Sequence, residues 1–336
     1  MELLLVTIRG LEEAVKEEAR VRGLAVIPFD VKSRVLVRGN LEKALGMRTI
    51  SAVCRVIGYG ETGTELRELR QTVRGILREA EEREGPVRVR AYVFGDCYSR
   101  REVERVVSRE VKRVWRVEAD PRASRELQVD VDCHSGVTCL SMRVKVFSGR
   151  RDYYVKRHPQ SLNPLIAAAL SWYSGVGEGD LVYDPMCGAG TIPVEFALSR
   201  GCTCIASDVS SVFVRGAREN AGRAGVDVEF FVADVASPPV NVEAVDLLAT
   251  DPPRRLGDAS RSIRSVLELG VSRVSLVTPY LSMASNLAWK GGYGVRRLVK
   301  TFQGGEPVYL LVMEKGGEVR PALSRTHSTC PPPLYI

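Results

Sequence analysis

Between residues 183 and 195 the chain reads Tyr183-Asp184-Pro185-Met186-Cys187-Gly188-Ala189-Gly190-Thr191-Ile192-Pro193-Val194-Glu195, an order that few backbone paths satisfy. Residues 181–184 read as a short buried strand ending on an acid. Gly188 and Gly190 let the backbone turn tightly and come close to a ligand. A helix is expected from near Thr191, with N–H groups exposed at its positive end. Asp208 closes the next strand, eighteen residues after Gly190. A carboxylate there can accept hydrogen bonds from both hydroxyls of a ribose.

A dinucleotide site competes for this pattern, but it asks for a third glycine where this chain has Pro193. That glycine permits close helix–strand packing, and proline is larger. Asp184 would also face a pyrophosphate, whereas an acid suits a ligand that carries an ammonium group. The loop therefore favours a methyl donor.

Strand and helix patterns alternate after residue 181. Strands are expected at 181–184, 203–208, 228–233, 245–250 and 274–278, with helical stretches between them. Two further strands, near 295–302 and 308–314, have only a short glycine-containing connection and should pair as a hairpin. This is an open, doubly wound parallel sheet with a terminal antiparallel hairpin, a pattern more typical of methyltransferases than of dehydrogenases. Asp234 follows the third strand, where a side chain can bond an adenine amino group. Asp251-Pro252-Pro253 follows the fourth, beside where a transferable methyl would lie. Helix capping is the plainer role for Asp208 and Asp234 taken singly, but both are in register with the glycine loop.

The first ~60 residues show β-α-β-α-β order, which suits a small α+β module. Strands are expected at 3–8, 34–38 and 52–59, helices at 11–22 and 41–50, and a break at Gly58-Tyr59-Gly60. Residues 64–84 carry apolar positions at helical spacing, and 87–94 alternate as a strand. Ser99 and Glu102 form a capping box before a helix that should bury Val103, Val106, Val107, Val111 and Val114. Strand-like runs at 127–133 and 137–147 precede a polar linker.

The 336 residues exceed one ordinary domain. No apolar run approaches the ~18–20 residues that span a bilayer, and the N-terminus lacks a basic region and cleavage site, so a cytoplasmic protein is expected. Eight cysteines (Cys54, Cys97, Cys133, Cys139, Cys187, Cys202, Cys204, Cys330) contain no C-x-x-C pair and stand beside only three histidines. Buried free thiols are expected rather than zinc ligands. Cys202 and Cys204 should share a strand face. The net charge is +7. Residues 143–158 hold six basic side chains against Asp152, and residues 254–300 hold nine against Asp258 and Glu268. Together they suggest one surface for phosphates.

Asp184 through Glu195 followed by Asp251-Pro252-Pro253 resembles the archaeal and bacterial tRNA guanine-N2 methyltransferases that carry an N-terminal THUMP domain, with the loop most similar to members that modify guanosine 6. The resemblance spans nearly the whole chain. Arg157-His158-Pro159-Gln160-Ser161-Leu162-Asn163-Pro164 is similar to the family's linker motif. It implies a ferredoxin-like module at 1–60, a THUMP RNA-binding domain at 61–150, a linker at 151–163, and a Rossmann-like class I methyltransferase domain with a mostly parallel seven-stranded sheet at 164–336.

It also implies S-adenosylmethionine as cofactor, held by Asn163, Asp184, Pro185, Cys187, Gly188, Ala189, Gly190, Thr191, Asp208, Val209, Asp234, Val235 and Asp251. Asp251, Pro252, Pro253 and Arg254 would serve the acceptor base. The implied partner is tRNA, with no metal, no membrane and a monomeric state. The N-terminal half would grip structured RNA by shape and phosphate contacts. Cys187 reads as a packing residue rather than a nucleophile. One departure stands out: the family carries an aromatic residue after the two prolines, and this chain has Arg254-Arg255. An arginine plane can stack on a base or pair with phosphate. A catalytically silent RNA binder, another tRNA position such as 10, or ribosomal RNA are the competing readings.

Overall fold

The computed structural model describes residues 1–80, 85–147, 151–156 and 161–316. Its first half runs β1 (Glu2–Val6), α1 (Glu12–Val21), β2 (Ala25–Ile27), β3 (Arg34–Arg38), α2 (Leu41–Leu45), β4 (Ala52–Glu61), α3 (Leu66–Glu79), β5 (Arg88–Phe94), α4 (Arg100–Val114), β6 (Glu126–Asp132) and β7 (Val137–Val146). All seven strands join one sheet, in the order β2-β3-β1-β4-β7-β6-β5.

The expected break at Gly58-Tyr59-Gly60 is absent. Strand β4 runs through it, with a register shift against β7 between Val56 and Gly58. The glycine is there for packing: a Cβ on Gly58 would lie 2.8 Å from Ile76 Cγ2, so α3 can press onto the strand only where there is no side chain. Helix α2 is also shorter than expected and stops at Leu45 before Gly46. The capping box forms as the sequence indicates, with Ser99 Oγ accepting from Glu102 N and Ser99 N donating to the Glu102 carboxylate. Val103, Val106, Val107 and Val111 are buried below it, while Val114 is only partly covered.

The cysteine expectation needs correction. Cys97 and Cys133 form a disulfide, bridging the turn after β5 to the end of β6. Parallel pairing of Phe94 with Asp132 brings the two segments side by side, which no spacing in the sequence reveals. The closed loop has a sequence separation of 36. The chain-entropy model then predicts that Cys97→Ser, or reduction, lowers stability by about 3–4 kcal/mol. Denaturant melts with and without reductant measure this, and coincident midpoints would count against a stabilising bridge. Cys54, Cys139, Cys187, Cys202 and Cys204 are buried free thiols, and Cys202 and Cys204 do lie together, Sγ to Sγ 3.8 Å.

The second half contains α5 (Pro164–Tyr173), β8 (Leu181–Asp184), α6 (Thr191–Arg200), β9 (Thr203–Asp208), α7 (Ser211–Ala224), β10 (Val228–Val232), β11 (Leu247–Thr250), α8 (Leu256–Glu268), β12 (Arg273–Thr278), α9 (Leu281–Lys290), β13 (Tyr293–Gln303) and β14 (Glu306–Lys315). The sheet order is β10-β9-β8-β11-β12-β14-β13, parallel except for β14, which pairs antiparallel with both neighbours. Only a 3-10 turn, Val242–Ala244, separates β10 from β11, in place of the longer helical stretch expected there. Pro238-Pro239 lies in that connection and cannot supply helical N–H groups.

The two halves are packed together. Leu11 and Ala14 of the N-terminal module share a core with α5. Tyr173 Oη donates to Gly10 O and accepts from Ala14 N. Gly10 has φ +93°, and a Cβ there would sit 2.1 Å from Lys300 O, so the β1–α1 turn lies directly on β13. Thr301 Oγ1 donates to Arg9 O, and Arg297 pairs with Glu17.

Glu195 makes a second junction. It is fully buried on α6, and Arg48 of the N-terminal module binds it bidentately, Nε–Oε2 2.6 Å and Nη2–Oε1 2.8 Å. Arg151 and the Tyr153 hydroxyl reach the same carboxylate. Buried Glu18 accepts from Arg48 N and Thr49 N, which sets the turn that aims Arg48. Among the described residues, no helix is long and apolar enough to cross a membrane.

Candidate active site

In this sheet β8 has β9 on one side and β11 on the other. The chain's course across the sheet reverses between β8 and β11, and a doubly wound fold opens its ligand crevice at such a point, beyond the carboxyl ends of the strands. Asp184 ends β8 and Asp251 follows β11, so two acids flank the crevice. The cavity there measures about 480 Å3.

The loop after β8 explains its own composition. Gly188 (φ +53°) and Gly190 (φ +77°) are both left-handed, but for different reasons. A Cβ on Gly190 would come 3.0 Å from Ala217 Cβ and 3.4 Å from Phe230 Cζ, so this glycine lets α7 approach the start of α6. A Cβ on Gly188 would meet nothing within 4 Å, because that position faces open space. Helix α6 begins at Thr191, as the sequence indicates. Cys187 is buried, and burial holds its thiol well above the ordinary range, which suits packing and not nucleophilic attack.

Asp208 Oδ2 accepts from Gly188 N at 3.0 Å, and Oδ1 accepts from Ser210 N at 2.9 Å. The carboxylate therefore braces the glycine loop, while about two of its four acceptor sites stay open. Asp234 Oδ1 accepts from Ala236 N at 2.9 Å, the turn-capping bond expected of an aspartate there. Asp184 is 1% exposed, with Thr250 Oγ1 donating to it at 2.8 Å. Burial pushes its pKa up to about 8.

Asp251 is the least satisfied group of the site. Its side chain is 12% exposed, and Arg254 Nη2 donates to Oδ2 at 2.9 Å. Oδ1 is buried and has no hydrogen-bond partner. Burial pushes its pKa up to about 7, against the opposing pull of the Arg254 charge. The guanidinium read from sequence as a stacking plane is thus bonded to the neighbouring acid. Pro252 is buried and Pro253 exposed.

All the positions singled out from sequence line the cavity except Asn163 and Gly190. Asn163 caps α5, its Oδ1 accepting from Leu165 N, and Gly190 faces Ala217. The sequence reading misses Phe213 and Ser262, which also line it. Both are single residues on helices, without a motif to mark them. Residues 157–160 of the linker motif lie outside the described residues.

Several members of the two basic stretches are held in ion pairs. Arg143 binds Glu126, Arg273 binds Asp180 and Arg297 binds Glu17. On α8 and its entry, Arg255, Arg261 and Arg264 are exposed, Arg261 in a pair with Asp258, on the helix that brings Ser262 to the cavity. Among the described residues, no group of three or more His, Cys, Asp or Glu is arranged to hold a metal ion.

A family model described as "RMKL-like, methyltransferase domain" matches residues 151–269. A tRNA (guanine(6)-N2)-methyltransferase of Thermus thermophilus is 30% identical over 248 residues, covering 69% of this chain and 73% of that protein. A tRNA (guanine(10)-N2)-dimethyltransferase of Methanothermobacter thermautotrophicus is 36% identical over 97 residues, and a tRNA (guanine(6)-N2)-methyltransferase of Methanocaldococcus jannaschii is 45% identical over 51. The match spans 28% of the first of these two archaeal proteins and 13% of the second. Among solved structures, TrmN from Thermus thermophilus superposes with a TM-score of 0.74 at 26% identity, over 94% of this chain and 99% of that one.

Proposed function

Because the chain belongs to the family of tRNA guanine-N2 methyltransferases, we propose that it methylates the exocyclic N2 of a guanine in tRNA, with guanosine 6 as the favoured position and S-adenosylmethionine as donor. The observation that carries the reading is the buried, unpartnered Oδ1 of Asp251 at the wall of the glycine-loop cavity. The relatives of Thermus thermophilus and Methanocaldococcus jannaschii, both named for guanosine 6, support the choice of position.

The site suits the proposed donor. Its volume falls within the ~300–1,000 Å3 typical of small-molecule pockets. Gly188 leaves open space above the loop, and Asp208 keeps acceptor capacity for ribose hydroxyls. Asp184 and Asp251 are buried acids that a cationic ligand would favour in their ionised form. When bound, S-adenosylmethionine supplies an electrophilic methyl group.

The chain's own residues handle the acceptor. The guanine amine is a weak nucleophile because its lone pair is delocalised into the ring. Asp251 Oδ1 and the Pro252 carbonyl accept its N–H bonds, which aims the nitrogen and favours the positive charge it gains. Asp251 is also placed to take the proton that N2 gives up. Arg254 holds Oδ2, so that Oδ1 faces the amine. Exposed Arg255, Arg261 and Arg264 contact RNA phosphates near the mouth. Residues 1–60 and 61–150, the latter as a THUMP domain, grip the RNA, and a cytoplasmic protein is the reading that accords with a tRNA substrate.

Asp208→Ala should raise the dissociation constant for S-adenosylmethionine by at least about tenfold, because it removes charged acceptors and the brace on Gly188. Calorimetry measures this, and wild-type affinity in the variant would refute the ribose assignment. For the activity itself, tRNA from a strain lacking the modification is incubated with the protein and labelled donor, then digested for nucleoside mass spectrometry. N2-methylguanosine at position 6 is the expected product. Label in position 10 or in ribosomal RNA would reassign the acceptor, and no transfer would overturn the reading.

A further inference from the structure

Along the carboxyl edge of the second sheet the candidate groups fall in strand order. Asp234 follows β10, Asp208 ends β9, Asp184 ends β8, and Asp251 follows β11. Beyond β11 comes β12, and the residue after its Pro279 is Tyr280. The parallel register sets Thr250 opposite Leu276. Carried past the strand ends, the same offset sets Arg254 opposite Tyr280. The side chains bear this out: Tyr280 Oη donates to Arg254 O at 2.6 Å, and Tyr280 N donates to Thr278 Oγ1 at 3.1 Å. The ring is therefore anchored at both ends beside the Asp251–Arg254 segment, and it is half-buried.

A guanine whose amine meets Asp251 Oδ1 needs a flat surface against its face, since bases drawn out of a stack are held between aromatic or apolar groups. Phe213, an aromatic residue that lines the cavity, lies on α7 after β9, toward the Asp208 side. Arg254 has its guanidinium edge on Asp251. Tyr280, which follows the neighbouring strand, lies just behind the lining, its hydroxyl on the carbonyl of Arg254, which does line the cavity.

We propose that the ring of Tyr280, held by its hydroxyl on the Arg254 carbonyl, is the stacking surface for the target base. The inference rests on the guanine-N2 reading above. It makes Tyr280 a base-binding residue and leaves Arg254 to hold Asp251.

The test compares wild type, Tyr280→Phe, Tyr280→Leu and Tyr280→Ala in steady-state methylation of tRNA, with S-adenosylmethionine affinity and thermal melting as checks on folding. Stacking on an aromatic ring is worth about 1–3 kcal/mol per base, so loss of the ring should cost roughly five- to a hundred-and-fiftyfold in kcat/KM for tRNA. Tyr280→Leu and Tyr280→Ala should show that loss at unchanged donor affinity, and Tyr280→Phe should stay within about threefold of wild type. Leucine fills most of the volume, so it keeps the test informative if alanine disturbs the fold. A leucine variant as active as wild type would overturn the stacking role while the methyltransferase reading stands. A phenylalanine variant as impaired as alanine would also overturn it, by placing the effect in the hydroxyl contact. Wild type unable to methylate any tRNA would instead remove the reading on which the inference rests.

Discussion

Replacing Asp251 by alanine is expected to cut methyl transfer to tRNA by about 10²–10³-fold, the usual cost of losing one preorganised group that stabilises transition-state charge. Affinity for S-adenosylmethionine should fall less than for Asp208→Ala, by under about tenfold, because Asp208 and the glycine loop are untouched and only one of the two buried acids is lost. A variant that keeps its turnover, or one that loses donor binding instead, would contradict the assignment. The pH profile gives a second check. Asp251 acts fully as an acceptor only when ionised, and burial pushes its pKa up to about 7. The wild-type rate should therefore climb between about pH 6 and 8, and Asp251→Asn should be slow with no such rise.

The same acids affect stability, with a definite sign. Asp184 and Asp251 hold their protons up to about 8 and 7 in the folded chain, against about 4 when unfolded. The folded state thus binds more protons between these values. Their contribution is most favourable below about pH 4 and is lost as pH rises through the folded pKa values. A cationic ligand that favours the ionised acids should accordingly raise the melting temperature more at pH 8 than at pH 6.

Glu195→Ala is expected to have the largest effect on folding. Its carboxylate is fully buried, and the side chains of Arg48 and Arg151 that bind it are 20% and 10% exposed. Removing one partner of a buried pair leaves uncompensated charge and typically costs about 3–5 kcal/mol. A fall in melting temperature on the order of 10 °C should follow. Glu195→Gln, which retains hydrogen bonding, should lose less. A melting temperature within about 1 °C of wild type for the alanine variant would show that the junction carries little stability. Because Glu195 sits on α6, four residues past its start, the alanine variant should also weaken donor binding.

Residues 181–208 are largely legible from the amino-acid order alone, because strand burial, glycine geometry and a helix start all lie within one short window. Strands β3, β8 and β9 and the hairpin of β13 and β14 match the sequence reading. What stays hidden depends on neighbours distant in sequence. Gly58 reads as a punctuation mark until Ile76 is seen above it. Arg48 and Glu195 are 147 residues apart, and no periodicity links them. The Cys97–Cys133 bridge follows from strand pairing, not from spacing. Arg254 is readable as a departure but not in its job, since its partner Asp251 lies three residues away in a turn whose shape the residue types do not dictate. Tyr280 carries no motif of its own.

The contact of residues 9–17 with β13 has a practical meaning for how this chain behaves in solution. Strand β13 is the outermost strand of its sheet, and an outermost strand left bare offers its backbone to any passing strand of another molecule. Here the turn at Gly10 lies on the Lys300 carbonyl, and Glu17 and Arg9 engage Arg297 and Thr301. The amino-terminal module is thus a lid on a sticky margin. A chain trimmed of its first sixty residues would bare β13, and would also strip Arg48 from buried Glu195, so it should associate through that edge as well as lose stability at α6.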